Sequence, residues 1–333
     1  MDRRQFLHTA ALGGAAVAAG LKPAQASASD SETLVAQLYS TLTDEQKSLF
    51  AFPFDDPLRS QVNNNWHITD ARVGRTLNGE QQALVGEIFR GLHNPDFYPQ
   101  VEKHIVDDGG SLASYSVALF GEPGSGKFEF VLTGRHCTAR CDGDSVEGAA
   151  FGGPIFYGHE GEQFYEKPDH PNNVYWFQAE RANEVFRALD PKQREAALLG
   201  DARRERQSHT VALRDEPEGL PVSEMTRDQR ELVEATLEDL LLPFREADRR
   251  EAMSLIRKTG GVESLSMAFF RNHDIGGDAV WDVWQLESPT MVWHFRGAPH
   301  VHVWVNIQEN PGWQPPAGAS GRGRRRARRN RRS

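Results

Sequence analysis

The sequence predicts an α+β fold, a single large domain of antiparallel sheet flanked by helices. Two observations lead there: helix-start signals come in two batches along the chain, and each batch is followed by runs of strand-like residues joined by short turns. The helix starts are four versions of one motif. Leu42-Thr43-Asp44-Glu45-Gln46, Leu77-Asn78-Gly79-Glu80-Gln81, Leu189-Asp190-Pro191-Lys192-Gln193 and Met225-Thr226-Arg227-Asp228-Gln229 each set an N-cap residue behind an apolar one and a glutamine at N3. That is the layout of a capping box with an apolar staple position, and Pro191 sits at N1. Apolar positions then recur at helical spacing, as in Leu84, Val85, Ile88 and Phe89, or Leu232, Val233, Leu237, Leu240 and Leu241. These are core faces.

Between the second and third helix starts, Leu112 to Phe120 and Phe128 to His136 alternate like a hairpin around Gly121-Glu122-Pro123-Gly124-Ser125-Gly126. Val146 to Phe156 is glycine-rich and reads as irregular, and Gln163 to His170 as an exposed loop. A helix from about Phe244 to Lys258, a Gly260-Gly261 break and a second helix through Leu265 to Phe270 follow. Strands near Val280 to Leu286, Thr290 to Phe295 and Val301 to Ile307 complete the core.

Both ends read as something other than this domain. Arg3-Arg4-Gln5-Phe6-Leu7 is a twin-arginine pattern, followed by a weakly apolar stretch from Thr9 to Gly20 and two small-residue cleavage sites, Ala24-Gln25-Ala26 and Ala26-Ser27-Ala28. Residues 1–28 are therefore expected to be a leader read by the twin-arginine export machinery, with the folded domain at 29–316 in the periplasm or outside the cell. Residues 317–333 are almost entirely Gly, Ala, Ser and Arg and lack the apolar surface to fold. The net charge of −9 hides a division. Without Arg3, Arg4, Lys22 and the eight tail arginines, 27 basic residues face 46 acidic ones once Asp2 is set aside. So acidic a body argues against nucleic acid as its partner. No later stretch is long and apolar enough to predict a membrane span.

The chemistry concentrates in Trp293-His294-Phe295-Arg296-Gly297-Ala298-Pro299-His300-Val301-His302-Val303-Trp304. His300 and His302 are two apart, so on a strand both rings leave one face. If Gly297, Ala298 and Pro299 form a three-residue hairpin loop, His294 lies opposite His302 and joins that face; a two-residue loop sends it to the other side. His136, at the end of the first strand group, completes the set if the two groups share a sheet. Clustered imidazoles suit zinc, copper or iron. Arg135 and Arg296 neighbour these histidines and are candidates for holding an anionic small-molecule substrate. The bland alternative is a set of hydrogen-bonded histidines on a sheet surface.

Other motifs carry less. Gly121 to Lys127 matches the start of a phosphate-binding loop, but Phe128 stands where Ser or Thr is required and a hairpin replaces the strand-to-helix turn, so no nucleotide cofactor is expected. Cys137 and Cys141 are open to three readings: a disulfide if a turn folds them together, two free thiols, or a thiolate beside His136. Asp55-Asp56 with Arg59 reads as a fastener of an irregular segment or a pocket rim. His159 is a further ligand or proton-transfer candidate on a loop.

Several of these stretches, in this order, resemble the bacterial DUF3500 family of uncharacterised exported proteins: Leu-Thr-x-x-Gln leading to Phe52-Pro53-Phe54-Asp55-Asp56, the Arg59-to-Gly74 segment, Gly134-Arg135-His136, Gly148-Ala149-Ala150-Phe151-Gly152-Gly153-Pro154 and His300-Val301-His302-Val303-Trp304. The resemblance covers nearly all of the chain between leader and tail and implies one family domain; it brings no established reaction. Relatives have two adjacent histidines where this chain has Arg135-His136, and an acid where His294 falls. The expectation is a metal-dependent enzyme, hydrolytic or redox, with His136, His294, His300 and His302 at the metal. The alternatives are a non-catalytic periplasmic metal- or ligand-binding protein and a structural protein.

Overall fold

The computed structural model describes residues 28–160, 170, 173–274, 277 and 280–316. The expected leader up to residue 27, residues 163–169 of the expected loop and the tail from 317 lie outside the described residues. No described helix is long and apolar enough to cross a membrane.

The first half runs α1 (Ala28–Thr41), α2 (Asp44–Phe50) and a two-residue strand β1 (Ala51–Phe52). After an irregular segment come α3 (Val73–Thr76), α4 (Gly79–Gly91) and α5 (Tyr98–Gly109), then β2 (Ser116–Gly121), β3 (Phe128–Gly134), β4 (Cys137–Cys141) and β5 (Ile155–His159). The second half repeats that order. It runs α6 (Trp176–Ala188), α7 (Pro191–Ala197), β6 (Leu198–Leu199), an irregular segment ending in β7 (Leu220–Pro221), α8 (Arg227–Leu241), α9 (Glu246–Lys258), β8 (Ser266–Phe270), β9 (Val283–Ser288), β10 (Met291–Arg296) and β11 (Val301–Ile307).

All four capping boxes form, on α2, α4, α7 and α8. Their glutamines do a second job. The side-chain amides of Gln46 and Gln81 exchange hydrogen bonds of 2.8 and 3.0 Å, and Gln193 and Gln229 do the same at 3.0 and 2.8 Å. Each pair locks two helix starts together, once per half.

The strands form one sheet in the order β1-β2-β3-β4-β5-β11-β10-β9-β8-β6, with β7 added on β8. The short outer strands β1 and β6 pair parallel to β2 and β8; the other pairings are antiparallel. Read outward from the central β5·β11 pair, both halves present their strands in the same succession. The central register, Ile155↔Val305, Tyr157↔Val303 and His159↔Val301, is that of an approximate two-fold axis. Local sequence agrees: Ser116-Val117-Ala118-Leu119-Phe120 in β2 answers Ser266-Met267-Ala268-Phe269-Phe270 in β8, each behind a 3-10 turn at Leu112–Ser114 or Val262–Ser264.

Two expectations about local structure are corrected here. Leu265 to Phe270 is not a helix but contains β8, whose five residues are all buried; a strand covered on both faces loses its alternation and cannot be told from a buried helix by pattern. Val146 to Phe156 is irregular only in part, because β5 starts at Ile155.

One sheet face packs on the helices, with Tyr157, Val303 and Val305 meeting a core that includes Val85, Ile88, Leu237 and Leu240. The other face lies under the two irregular segments. Phe156, Val292 and Trp304 pack with Val62, Val211 and Leu213, while Ala118, Phe120 and Val131 pack with Ile68. Irregular chain pressed on a sheet must find partners for its backbone carbonyls. Arginines supply them. Arg140 donates to Pro154 O at 2.6 Å, Arg59 O at 2.6 Å and Gln61 O at 2.7 Å, and Arg203 donates to Thr210 O at 3.0 Å and Ala212 O at 2.8 Å. Each arginine is anchored by a fully buried glutamate, Arg140 and Arg59 on Glu129, Arg203 and Arg214 on Glu287.

Candidate metal centre

The β10–β11 hairpin pairs Arg296 with His302 and His294 with Trp304. A three-residue loop would have set His294 opposite His302; the longer connection slides it one pair further along while keeping it on the same face. His136 arrives from the other half. It is the second residue of the two-residue turn between β3 and β4, with Gly134 paired to Cys137. Its φ of 50° lies in the left-handed region, uncommon for a residue with a Cβ. The turn is held by His136 N–H donating to Asn64 O and Tyr115 Oη donating to Arg135 O, both at 2.8 Å.

Register then brings the rings together. Thr138 opposes Phe156, Trp304 opposes Phe156 and His302 opposes Gly158, so His136 and His302 project from one face at adjoining strand ends. Gly158, the register partner of His302, sits where a Cβ would lie 2.3 Å from Val301 O.

Three imidazoles converge. His302 Nε2 lies 2.9 Å from His300 Nε2 and 3.2 Å from His136 Nε2, and one ring nitrogen of each falls within 4.8 Å of the other two. The far side of two rings is tied down by carboxylates: His136 Nδ1 to Asp108 Oδ2 and His302 Nδ1 to Glu205 Oε2, both at 2.6 Å. Asp108 Oδ1 in turn accepts from Glu160 N–H at 3.0 Å. A carboxylate on Nδ1 fixes the Nδ1–H tautomer and leaves the Nε2 lone pair facing inward. The inward lone pairs of His136 and His302 repel unless a proton or a cation lies between them, while His300 Nε2 can meet His302 Nε2 either as a hydrogen-bond donor or as a co-ligand of such a cation. Ligand bonds of about 2.0–2.1 Å at tetrahedral angles separate nitrogens by about 3.3 Å, so these spacings fit a transition ion. Burial, with His302 and His136 beside it, lowers the His300 pKa to about 4, so that ring is neutral and ready to ligate at neutral pH. Burial alone would raise the Glu205 pKa; the hydrogen bond from His302 and the charges of His302, Arg296 and His294 outweigh it and hold the pKa at about 2. His136 and His302 are each 4% exposed, whereas His300 is half-buried, so the cluster faces outward at His300.

The other candidates occupy distinct places. His294 shares the face but lies outside the converging group, its ring 6.5 Å from that of Phe270. Arg296 is an ion-pair partner of Glu205, Nε to Oε1 at 3.1 Å, and Arg135 pairs with Glu160. Arg296 thus pairs with a carboxylate of the site, whereas Arg135 pairs with Glu160, whose backbone N–H holds Asp108. His159 is buried beside His104, ring centroids 5.9 Å apart, and neither of its ring nitrogens has a hydrogen-bond partner. Cys137 and Cys141 are free thiols in the helix-facing core, held apart at the two ends of the extended β4, so they form no disulfide; neither joins the converging histidines, and burial pushes the Cys137 pKa up to about 12. Asp56 caps a 3-10 turn through Leu58 N–H at 2.9 Å, and Arg59 reaches Glu129, so that segment is fastened to the sheet. Gly121 to Lys127 is the β2–β3 hairpin turn, closed by Glu122 N–H to Lys127 O at 3.0 Å.

Sequence reasoning passed over Asp108 and Glu205. The only available signals were an aspartate pair before Gly109-Gly110 at a helix end and a lone acid inside Arg203-Arg204-Glu205-Arg206.

Fold and site together define a duplicated α+β protein with a histidine cluster capable of holding a metal ion at the seam of its halves. The chain belongs to the DUF3500 family, proteins of unknown function, whose model matches residues 24–307. No curated protein and no solved structure matches it.

Proposed function

We propose that this protein binds one divalent transition ion, of the zinc, copper or iron kind, through His136, His300 and His302. The convergence of three ring nitrogens, two of them backed by carboxylates, carries this reading. Export in the folded state, which the twin-arginine pattern supports, gives such a protein its metal before release to the periplasm or beyond. Protein exported natively and purified without a histidine tag is expected to contain about one equivalent of metal per chain by elemental analysis. Full metal content in the His300→Ala, His302→Ala double variant overturns the site.

A catalytic reading has one observation in its favour. The site offers three imidazoles among the described residues and its half-buried side at His300 faces outward, whereas structural zinc is enclosed by four protein ligands. A bound ion would supply Lewis-acid activation of water or of a substrate oxygen. Cobalt-substituted protein tests for the open position. A change in its visible spectrum on adding azide supports catalysis; an unchanged spectrum assigns the metal to binding alone.

A further inference from the structure

A second feature adjoins the cluster in sequence, although none of the converging histidines lines it. Arg135, the neighbour of His136, and Gly109, the neighbour of Asp108, line a cleft of about 440 Å³ that also takes in Asn65, His67, Arg72, Arg75 and Ser114. Three of its residues are arginines and none is acidic, in a chain whose acidic residues outnumber its basic ones by 47 to 38. Arg72 and Arg75 repel each other, with partial relief from Asp70, while Arg135 is already paired with Glu160. Arg72 is held in place by Nη1 donating to Thr69 O at 3.0 Å and Asp70 O at 3.1 Å, which leaves the rest of its guanidinium for other partners. Arg135 reaches out to Glu160 with Nη2, while its buried Nε has no hydrogen-bond partner. His67 is turned by its ring Nε2 to Ser114 O at 3.2 Å.

From this arrangement we infer that the cleft of Arg72, Arg75 and Arg135 is an oxyanion subsite, which seats a carboxylate, phosphate or sulfate group of the molecule whose reactive part meets the metal. Guanidinium forks match planar and tetrahedral oxyanions in two-point hydrogen bonds, and an anion there relieves the mutual repulsion of Arg72 and Arg75. Asn65 and Ser114 add neutral hydrogen-bonding groups at the rim. The inference assigns the substrate class of the metal site and so rests on the metal reading for its second half, but the anion cleft itself needs no metal.

Isothermal titration at fixed ionic strength tests it, with inorganic phosphate, sulfate and acetate as probes on both metal-loaded and chelator-treated protein. Saturable binding of at least one probe is expected, weakened about five- to tenfold by Arg72→Gln and by Arg75→Gln with unchanged metal content and thermal melting. Selective binding of phosphate or sulfate assigns a phospho- or sulfo-group, and selective binding of acetate a carboxylate. No saturable binding of any probe, or binding that both variants leave unchanged, overturns the subsite. Anion binding to protein that never takes up metal keeps the cleft and removes only its link to the metal.

Discussion

The two halves share a skeleton, yet only one end of their seam became a site. Both carry a locked pair of glutamine-capped helices, a short parallel outer strand, an irregular segment and four antiparallel strands, and each fastens its irregular segment through an arginine on a buried glutamate, at different sheet positions in the two halves. They part company in the turns. The first half closes β3 to β4 with Arg135-His136, while the second closes β9 to β10 with Pro289-Thr290, which brings no imidazole. At the centre the register matches Phe156 on β5 with Asn306 on β11, and the counterpart of His302 falls at Gly152, before β5 begins. Repetition supplies a rigid frame, and a few exchanged side chains where the copies meet supply chemistry that neither copy holds alone.

The sharpest test of the shared frame is its buried ion pairs. Arg140→Ala and Arg203→Ala each strip a partner from a fully buried glutamate and are expected to cost about 3–5 kcal/mol in chemical denaturation. Arg140→Ala should be the worse of the two, since Arg140 also holds three backbone carbonyls to Arg203's two. An equal loss would mean that the carboxylates alone set the cost.

Contribution of both halves to the site is tested next. Asp108→Asn in the first half and Glu205→Gln in the second should each weaken metal binding about 10–100-fold in competition with a chelator. If only one of them does, the site belongs to one half and the shared-seam reading fails.

A smaller effect probes the helix side of the seam, where Asp142 from the first half meets Asp248 and Glu251 from the second. Burial, with Asp142 and Asp248 nearby, raises the Glu251 pKa to about 7. A carboxyl raised on folding gives stability that is complete below its ordinary value near 4.5 and is lost as the pH climbs through about 7. Glu251→Gln should therefore gain about 1 kcal/mol on its parent between pH 5 and pH 8, after allowance for partial exposure. Thermal melting at the two pH values reads this as a relative shift of about 2–4 °C. No change in the difference between the two proteins would remove the strain assigned to this meeting point.

The smallest effect concerns the most faithful repeat. Gln46→Ala and Gln193→Ala each lose a cap and an amide exchange, at about 0.5–1 kcal/mol. Because the geometry is duplicated, their melting shifts should agree closely.

What could be read from the sequence was what neighbours in the chain decide. The capping boxes and the shared face of His300 and His302 depend on spacings of two or three residues, and both were legible. β8 was not, because a strand buried on both faces carries no alternation. The place of His294 depended on the hairpin register, and that of His136 on two strand groups meeting across β5 and β11. Asp108 and Glu205 come from a helix end and an irregular segment far from the histidines in sequence. Nothing in their own surroundings marks them.

One pairing in the sheet has a wider consequence. β5 is held to its own half through two register pairs with β4, but to the other half through five with β11. The three histidines of the proposed metal site sit across that same junction. An ion binding there acts as a clasp between duplicated copies, and at a free concentration a hundred times its dissociation constant it would add about 2.7 kcal/mol to the native state. The melting temperature of this protein then becomes a gauge of metal supply, and a chain short of metal would have its halves less firmly joined.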